Sequence, residues 1–315
     1  MKKPIVAIVG MGPVGSVLAA HLVRNGEDVV AVDILEEILH KMRKEGLRIS
    51  GITKLTARIN KTANSISQLA EYNPEIVFLA TKASVLKHIL PSFKKIYASD
   101  MKIVSYQNGL DNERIIAESL GVDITYRAVI NYAGNLAGPG NVSMNWFQPP
   151  NYIGVLHKGG YATDETTRYI ARAMTKSGLE TEEASNIKEH VWKKTILNSA
   201  LCSLCAVTRQ TMKEAMEHTH SRDLAMRLVE EGLKVAKADG YDFGPNAPSE
   251  FMSYLEKGGA HKPSMLIDVE KKRATEVDFM SGAVARYGAK YQIPTPVNST
   301  FTNLLKTIEN QYLTT

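Results

Sequence analysis

Cysteine is scarce in this 315-residue chain, which has only two. Two cysteines cannot build the disulfide framework of a small secreted domain, so we expect a reducing compartment and a cytoplasmic protein. Runs of like charge are also missing, because the 38 Lys and Arg and the 33 Asp and Glu are scattered and leave a net charge of +5. We therefore expect no nucleic-acid partner, and the small positive excess suits a small anionic ligand.

Long apolar runs are missing too, so we expect no membrane partner. One alternative concerns the first twenty residues, where Met1-Lys2-Lys3 followed by an apolar stretch resembles a secretory signal. The segment Gly10–Gly15 interrupts that stretch where a signal needs a continuous helix. These glycines have a better use, described below.

The pattern of the chain predicts an α/β fold in two domains. Up to residue 183, short β-branched runs alternate with helical segments such as Val14–Arg24, which predicts a Rossmann-type parallel sheet wrapped by helices. The predicted strands are Ile5–Val9, Val29–Val32, Ile76–Ala80, Ile103–Tyr106, Tyr126–Tyr132, Val142–Trp146 and Tyr152–Val155.

From residue 184 to residue 315 the β-branched runs disappear and long helical patterns replace them. This half is predicted to be an all-helical domain that binds substrate. The predicted helices are Ile187–Val207, Arg222–Ala238, Met265–Arg273 and Phe279–Tyr291.

A glycine fingerprint follows the first predicted strand. Gly10-Met11-Gly12-Pro13-Val14-Gly15 stands between that strand and a helix, the context that predicts a dinucleotide site. The first glycine would allow a tight turn, the second a close approach to a pyrophosphate, and the third close packing of helix against strand. The alternative is that these glycines only make a strand-to-helix turn.

Asp33 ends the second strand, 18 residues after the last glycine of the fingerprint. An acidic residue there accepts hydrogen bonds from the adenosine ribose and repels a 2′-phosphate, so we expect NAD(H) to be preferred over NADP(H). Two alternatives remain at this point: a solvated strand-end carboxylate, and a flavin in place of nicotinamide.

Lys194, Asn198 and Cys202 recur at intervals of four on a predicted helix and therefore share one face. Reduction of a ketone by hydride requires a proton donor at the oxygen, and Lys194 is the candidate, with Asn198 holding the carbonyl. A lysine and an asparagine four apart can equally form an ordinary solvated face.

Several ordered motifs together resemble the ketopantoate reductase (2-dehydropantoate 2-reductase) family over essentially the whole chain. They are Gly10–Gly15, Thr81-Lys82, Gln107-Asn108-Gly109, Trp192-Lys193-Lys194 with Asn198, Pro263-Ser264-Met265 with Asp268, and Thr275-Glu276-Val277-Asp278. The resemblance implies a two-domain nicotinamide enzyme with its active site in the cleft between a Rossmann domain and a helical domain. It also implies a homodimer.

The same resemblance implies roles for individual residues. Lys194 matches the family's general acid and Asn198 its carbonyl-side partner, while Glu276 matches an acidic residue that orients lysine and substrate. Ser264 matches the serine that holds the substrate carboxylate; its alternative role is a helix N-cap after Pro263. The alternative for Glu276 is a surface carboxylate.

Two further matches lie on the cofactor side, Lys82 and Asn108, and Asn108 is also expected to bind substrate. Two positions depart from the family pattern, since Cys202 and His261 replace the usual asparagines on the substrate wall. The exchange removes fixed amide donors, so a substrate other than ketopantoate is an alternative. His261 with Pro263-Ser264-Met265, together with Asp33, resembles the NAD-dependent D-2-hydroxyacid (mandelate-like) dehydrogenase branch.

Metal sites are not expected. Cys202 and Cys205 have the spacing of a redox or zinc pair, but no second pair exists, and such thiols in a helix are mostly core residues. His218 and His220, two apart in a predicted helical stretch, should point away from each other.

The sequence thus predicts NAD(P)-dependent reduction of a small 2-oxo acid, either ketopantoate to pantoate or a related branched acid. One alternative is the D-2-hydroxyacid dehydrogenase reaction. Another, of a different class, is a nucleotide-sensing regulator without catalysis, which we would expect to have lost the proton donor that this chain retains.

Overall fold

A computed structural model describes residues 3–96 and 101–313. Met1 and Lys2, which open the segment weighed above as a signal, lie outside the described residues. The chain forms two compact units. Unit 1 comprises Met1–Gln107 and Asp111–Lys188, and unit 2 comprises Asn108–Leu110 and Glu189–Thr315.

The strands all lie in unit 1. They are β1 (Ile5–Val9), β2 (Asp28–Val32), β3 (Leu47–Gly51), β4 (Leu55–Ala57), β5 (Lys61–Ala63), β6 (Ile76–Leu79), β7 (Lys102–Ser105), β8 (Thr125–Val129), β9 (Tyr132–Gly138), β10 (Asn141–Phe147), β11 (Asn151–His157), β12 (Gly160–Ala162) and β13 (Thr181–Glu183).

The α-helices are distributed over both units. They are α1 (Pro13–Arg24), α2 (Glu36–Glu45), α3 (Ile66–Leu69), α4 (Leu86–Ile96), α5 (Asn112–Leu120), α6 (Glu165–Lys176), α7 (Ile187–Thr208), α8 (Met212–Glu217), α9 (Thr219–Ala238), α10 (Ala247–Glu256), α11 (Ser264–Glu270), α12 (Ser281–Lys290) and α13 (Pro296–Leu313). Short 3-10 turns lie at Ala70–Tyr72, Ala83–Val85, Val122–Ile124 and Val277–Phe279.

The main sheet of unit 1 has the strand order β12-β11-β8-β7-β6-β1-β2-β5, with β13 beside β11. From β5 to β8 every pairing is parallel. Successive residues of β1 enter different apolar clusters, Val6 and Ile8 one cluster and Ala7 and Val9 another. Because side chains alternate across a strand, both faces of the sheet are buried, which explains the nearly all-apolar runs in the sequence.

The predicted α/β class with a helical second part is confirmed, and the structure adds a second sheet. That sheet has the order β4-β3-β10-β9 and packs against α1. The main sheet is also mixed at one end, because β11 runs antiparallel to both β8 and β12.

One strand prediction is wrong. The run Tyr126–Tyr132 is not a single strand, because β8 ends at Val129 in the main sheet and β9 begins at Tyr132 in the second sheet. Asn131 makes the transition, with its backbone N–H donating to Asn151 Oδ1 over 2.8 Å and its Nδ2 donating to the carbonyl of Pro150 over 2.6 Å.

Unit 2 is helical over the residues described, up to residue 313. An apolar cluster joins α7, α11, the 277–280 segment and α13; its buried members are Cys202, Ala206, Met265, Leu266, Val269, Val277, Met280 and Leu305. Within residues 3–96 and 101–313, no helix combines the length and the apolar character that crossing a bilayer requires.

Candidate active-site residues in the two units

The glycine fingerprint forms the turn between β1 and α1 in unit 1. Gly10 has φ +97°, and a Cβ there would lie 2.9 Å from the backbone nitrogen of Thr81, so both its conformation and its surroundings require glycine. A Cβ on Gly15 would lie 2.0 Å from the carbonyl oxygen of Gly10. These two glycines bring the first turn of α1 against the carboxyl ends of β1 and β6.

Gly12 differs from both neighbours because a Cβ there would meet nothing within 4 Å. It is the N-cap residue of α1, it makes no side-chain cap hydrogen bond, and the first turn of the helix contains no acidic residue. The space that a side chain at Gly12 would fill is therefore open beside the start of α1, where the partial positive charge of the helix favours a phosphate. This arrangement fits the pyrophosphate of a dinucleotide.

Buried hydroxyl groups donate hydrogen bonds to backbone carbonyls of the glycine fingerprint. Ser16 Oγ donates to the carbonyl of Met11 over 2.9 Å, and Tyr132 Oη donates to the carbonyl of Val14 over 3.0 Å. Tyr132 Oη lies 3.0 Å from Tyr106 Oη. Burial raises the pKa of both tyrosines, so they remain neutral donors. These hydroxyl contacts could not be predicted, because a tyrosine in a strand carries no sequence signal that its hydroxyl meets a helix start.

Asp33 ties the end of β2 to the fingerprint. Its Oδ2 accepts the Met11 amide over 2.7 Å and its Oδ1 accepts the Leu35 amide over 2.9 Å. The carboxylate is thus fixed beside the glycine turn, and each oxygen keeps a second lone pair for another donor. The next side chain, Ile34, is 85% exposed.

Lys82 and Asn108, both predicted on the cofactor side, belong to different units. Lys82 is half-buried and follows β6, at the start of a 3-10 turn. Asn108 is half-buried and opens the short segment of unit 2 that ends at Leu110. That segment is packed tightly, since the Leu110 amide donates to the Phe279 carbonyl over 2.9 Å and a Cβ on Gly109 would lie 2.5 Å from the same oxygen.

Helix α7 carries Lys194, Asn198 and Cys202 on one face. Lys194 and Asn198 are half-buried, whereas the neighbouring Lys193 is exposed. Cys202 is 5% exposed and lies in the apolar cluster of unit 2. Along this face the side chains of Lys194 and Asn198 are partly exposed to solvent. The thiol of Cys202, one helical turn after Asn198, is buried.

Ser264 is the first residue of α11 and its side chain is exposed. The N-cap position is occupied by Pro263, which makes no side-chain cap hydrogen bond. The capping role considered for Ser264 is therefore wrong, because the helix begins one residue earlier than that role requires. The hydroxyl projects at the helix start.

Glu276 is buried, at 7% exposure, so its alternative role as a surface carboxylate is wrong. Its backbone is held through both neighbours. The Thr275 amide donates to Glu309 Oε1 on α13 over 2.6 Å, and Val277 lies in the apolar cluster of unit 2.

The apolar cluster brings the candidate residues of unit 2 into one neighbourhood. Cys202 lies one helical turn from Asn198, Met265 follows Ser264, and Val277 follows Glu276. The core of unit 2 thus contains direct sequence neighbours of the hydroxyl and carboxylate candidates and lies one helical turn from the amide candidate.

His261 precedes α11 by three residues and is half-buried. Burial lowers the pKa of its imidazole, so the ring is neutral near pH 7 and offers one donor and one acceptor.

The remaining cysteine and histidines have other surroundings. Cys205 is buried, and burial raises the pKa of its thiol, which makes it unreactive.

The prediction that His218 and His220 point apart is wrong. A break in the helix at His218, between α8 and α9, places the two rings 5.6 Å apart. In the described part of the chain, no group of three or more His, Cys, Asp or Glu side chains is placed to hold a metal ion.

Comparison with known proteins gives relatives along the whole chain. The 2-dehydropantoate 2-reductase of Archaeoglobus fulgidus is 28% identical over 311 residues, covering 98% of this chain and 99% of that protein. The crystal structure of 2-dehydropantoate 2-reductase from Geobacter metallireducens GS-15 superposes with a TM-score of 0.88 at 23% identity, covering 96% and 99% of the two chains.

A second similar solved structure is the ternary structure of D-mandelate dehydrogenase with NADH and anilino(oxo)acetate. It superposes with a TM-score of 0.83 at 23% identity, covering 98% of this chain and 99% of that one. At this identity the likeness shows a shared fold.

Family models match both parts of the chain. The model described as ketopantoate reductase PanE/ApbA matches residues 6–158, and its C-terminal counterpart matches residues 186–309. Together they cover most of the sequence, including the glycine fingerprint and the α7 lysine, and the chain belongs to the ketopantoate reductase PanE/ApbA family.

Proposed function

We propose that this protein is a nicotinamide-dependent oxidoreductase that reduces a small 2-oxo acid to the 2-hydroxy acid, with ketopantoate to pantoate as the first candidate reaction. The main support for the proposal is the open space at Gly12, next to the start of α1, which has no side-chain cap. Membership of the family is the second support. That space suits the pyrophosphate of the coenzyme.

The coenzyme would be held mainly by residues of unit 1. The amides of the Gly10–Gly15 turn would bind the pyrophosphate and Asp33 the adenosine ribose, with Lys82 and Asn108 beside the nicotinamide half. When bound, the reduced nicotinamide supplies a hydride to C2 of the substrate. The electron pair of the C=O bond then resides on oxygen, which requires a proton.

Lys194 is the proposed source of that proton. Its ammonium Nζ would donate to the substrate oxygen, leaving a neutral amine that regains a proton from solvent, so that charge balances over the cycle. Asn198 would hold the same oxygen through its side-chain amide, and Glu276 would orient the ammonium. Reduction is the favoured direction, because a lysine is ordinarily protonated at neutral pH.

Ser264 is proposed to bind the substrate carboxylate, because its exposed hydroxyl lies at the first turn of α11. Cys202 and His261 would face the substrate side chain. A neutral imidazole and a thiol present fewer fixed donors than two asparagine amides, so this wall should accept a less polar side chain than that of ketopantoate. This favours a second candidate, an NAD-dependent D-2-hydroxyacid dehydrogenase.

NAD(H) is the proposed coenzyme in preference to NADP(H). The carboxylate of Asp33 would repel a 2′-phosphate, and the residues after it, Ile34 and Leu35, offer no positive charge. The guanidinium of Arg43 is already engaged, with Thr62 Oγ1 and Glu36 Oε1 both at 2.5 Å.

The decisive experiment compares two adjacent lysines. The purified protein is assayed for NADH oxidation with ketopantoate and a panel of branched and aromatic 2-oxo acids. Lys194→Ala should reduce kcat by about a thousandfold while NADH binding, measured by fluorescence, stays within about twofold. Lys193→Ala is the matched control, because it removes an exposed cation from the same turn of α7.

An unchanged kcat in Lys194→Ala would remove the proposed proton donor. Binding of NADH without turnover of any 2-oxo acid would favour the alternative of a nucleotide-sensing regulator. Light scattering of the same preparations tests the homodimer that we also propose.

The coenzyme preference is tested by thermal unfolding. NADH should raise the Tm of the parent protein more than an equal concentration of NADPH does, since the tighter ligand stabilises more. Asp33→Asn keeps one side-chain acceptor for the backbone amides and removes the charge, so the difference between the two coenzymes should narrow. Equal shifts in the parent protein would contradict the preference.

A further inference from the structure

Unit 1 contains a cluster of four charged side chains that the proposed chemistry does not use: Asp111, Glu113, Arg127 and Lys188. All but Asp111 are buried. Lys188 Nζ lies 3.3 Å from Glu113 Oε1 and 3.6 Å from Asp111 Oδ1. Arg127 Nε lies 3.7 Å from Glu113 Oε2. The side chain of Glu113 is 0% exposed and that of Lys188 is 4% exposed. We call these four residues the ion cluster.

The ion cluster lies where the chain changes units. Asp111 is the first residue of unit 1 after the segment Asn108–Leu110, and Lys188 is the last residue before Glu189 begins the main part of unit 2. Lys188 is also the second residue of α7, the helix that carries Lys194 six positions later. The first turn of that helix therefore contains a residue, Lys188, that forms ion pairs within unit 1.

Polar contacts continue from the ion cluster into the main sheet. Arg127 Nη1 donates to Ser105 Oγ over 2.8 Å, and Ser105 Oγ donates to Gln107 Oε1 over 3.2 Å. Gln107 Nε2 then lies 3.4 Å from Thr81 Oγ1. These contacts end at the carboxyl edges of β6 and β7, the edge at which ligands of open parallel sheets bind.

Buried ion pairs are an inefficient way to gain stability, since desolvation offsets most of the attraction, but they tolerate little change in geometry. Glu113 is further restricted by Tyr161, whose Oη donates to Glu113 Oε1 over 3.0 Å. The cluster contains two positive and two negative groups and is balanced. We therefore expect the ion cluster to restrict the direction of helix α7, which carries Lys188.

We propose that the Glu113–Lys188 pair is a positioning element, which anchors the first turn of α7 in unit 1 and thereby sets the orientation of Lys194 in the reaction. The inference rests on the proposed function. Neither residue touches the reacting atoms. Glu113 and Lys188 would affect the reaction only through the position of helix α7.

The test uses Glu113→Gln, Lys188→Met and the double variant. Each single variant leaves one unbalanced buried charge and should lower the Tm. The double variant removes one negative and one positive charge together, leaves the summed charge of the cluster unchanged and should recover part of the Tm. The double variant therefore separates positioning from simple destabilisation. Its kcat should fall at least about tenfold while KM for NADH changes less than about twofold.

Hydrogen exchange supplies a readout that does not depend on activity. Amides at 188–194 should exchange faster in the double variant than in the parent, and Lys193→Met, an exposed change in the same helix, should change neither exchange nor kcat. The inference is overturned if the double variant keeps either the parent's kcat or its exchange rates. A parent protein inactive with every 2-oxo acid would instead overturn the proposed function, and that result is visible before any variant is made.

Discussion

At the scale of single residues, the glycine turn shows how three identical residues meet three different requirements. Gly10 needs a positive φ, Gly15 needs the absence of a Cβ next to a carbonyl oxygen, and Gly12 lines an open space. The first two requirements belong to the fold. Only the third belongs to the ligand, so substitutions at these positions should separate stability from binding.

Gly15→Ala should destabilise the protein by about 3 kcal/mol, because its Cβ would have to displace backbone at the Gly10 carbonyl. Gly12→Ala should cost less than about 1 kcal/mol and weaken NADH binding at least about tenfold, because its methyl group would occupy the phosphate space. Thermal unfolding and NADH titration of both variants provide the measurements. If Gly12→Ala bound NADH as tightly as the parent, the assignment of this space to the coenzyme would be wrong.

The contribution of Glu113 to the stability of the protein depends on pH in the acidic range. Burial alone would raise the pKa of its carboxyl, but Lys188 and Arg127 more than offset burial and lower the pKa from 4.5 to about 2. Because the pKa is lower in the folded protein, the charged carboxylate contributes stability above about pH 4.5, and this contribution is lost as the pH falls toward 2. The groups facing it are Lys188, Arg127 and Tyr161.

The stability difference between the parent and Glu113→Gln should therefore be constant near neutral pH and shrink by about 1 kcal/mol between about pH 6 and about pH 4. Urea unfolding at a series of pH values measures both free energies of unfolding. A difference independent of pH over this range would show that Glu113 is not held in its charged form by its neighbours.

At the scale of elements, the helices of unit 2 are held at their ends by side chains from other helices. Glu231 on α9 is the strongest example, since its carboxylate accepts the amides of Val297 and Asn298 in the first turn of α13 over 2.8 and 2.9 Å. Asn298 Nδ2 donates to the same group over 2.8 Å. A buried carboxylate at a helix N-terminus satisfies amides that no residue of the helix itself can reach.

Glu231→Ala should lower the free energy of unfolding by about 2 kcal/mol, because it leaves buried amides without an acceptor. Glu230→Ala removes an adjacent exposed carboxylate and should change stability by less than about 0.5 kcal/mol. Denaturant unfolding of both variants measures the difference. Equal effects would mean that Glu231 does not support α13.

Elements were predictable from sequence where burial is uniform. The central strands β1, β2, β6 and β7 appear as apolar runs because both sheet faces are covered, and α7 appears as one long helix. The short strands β4 and β5 were missed, because three residues such as Lys61–Ala63 give no periodicity. In the second sheet, β10 was predicted as the run Val142–Trp146, whereas β3 and most of β9 were missed.

In the candidate site too, some residues could be predicted from the sequence and others could not. The glycine turn, Asp33 and the α7 lysine are visible because their spacing is local. The ion cluster is not visible, since Glu113, Arg127 and Lys188 are separated by tens of residues and each looks like an ordinary surface charge. Pairing that depends on tertiary packing leaves no trace in a single sequence.

At the scale of the whole molecule, the two units divide the proposed chemistry. Unit 1 supplies the glycine turn and Asp33, while unit 2 supplies Lys194, Asn198, Ser264 and Glu276. This division matches the two family models, one for each part of the chain. A net charge of +5 is consistent with two anionic ligands, the coenzyme and the 2-oxo acid.

The central claim is hydride transfer to a 2-oxo carbon, and isotope transfer tests it most directly. The protein is incubated with NADH carrying deuterium at both C4 positions, together with ketopantoate or the most active 2-oxo acid of the panel, and the product is examined by mass spectrometry and NMR. The account predicts a 2-hydroxy acid with one deuterium at C2. A product without deuterium at that carbon, or no product from any 2-oxo acid, would contradict it.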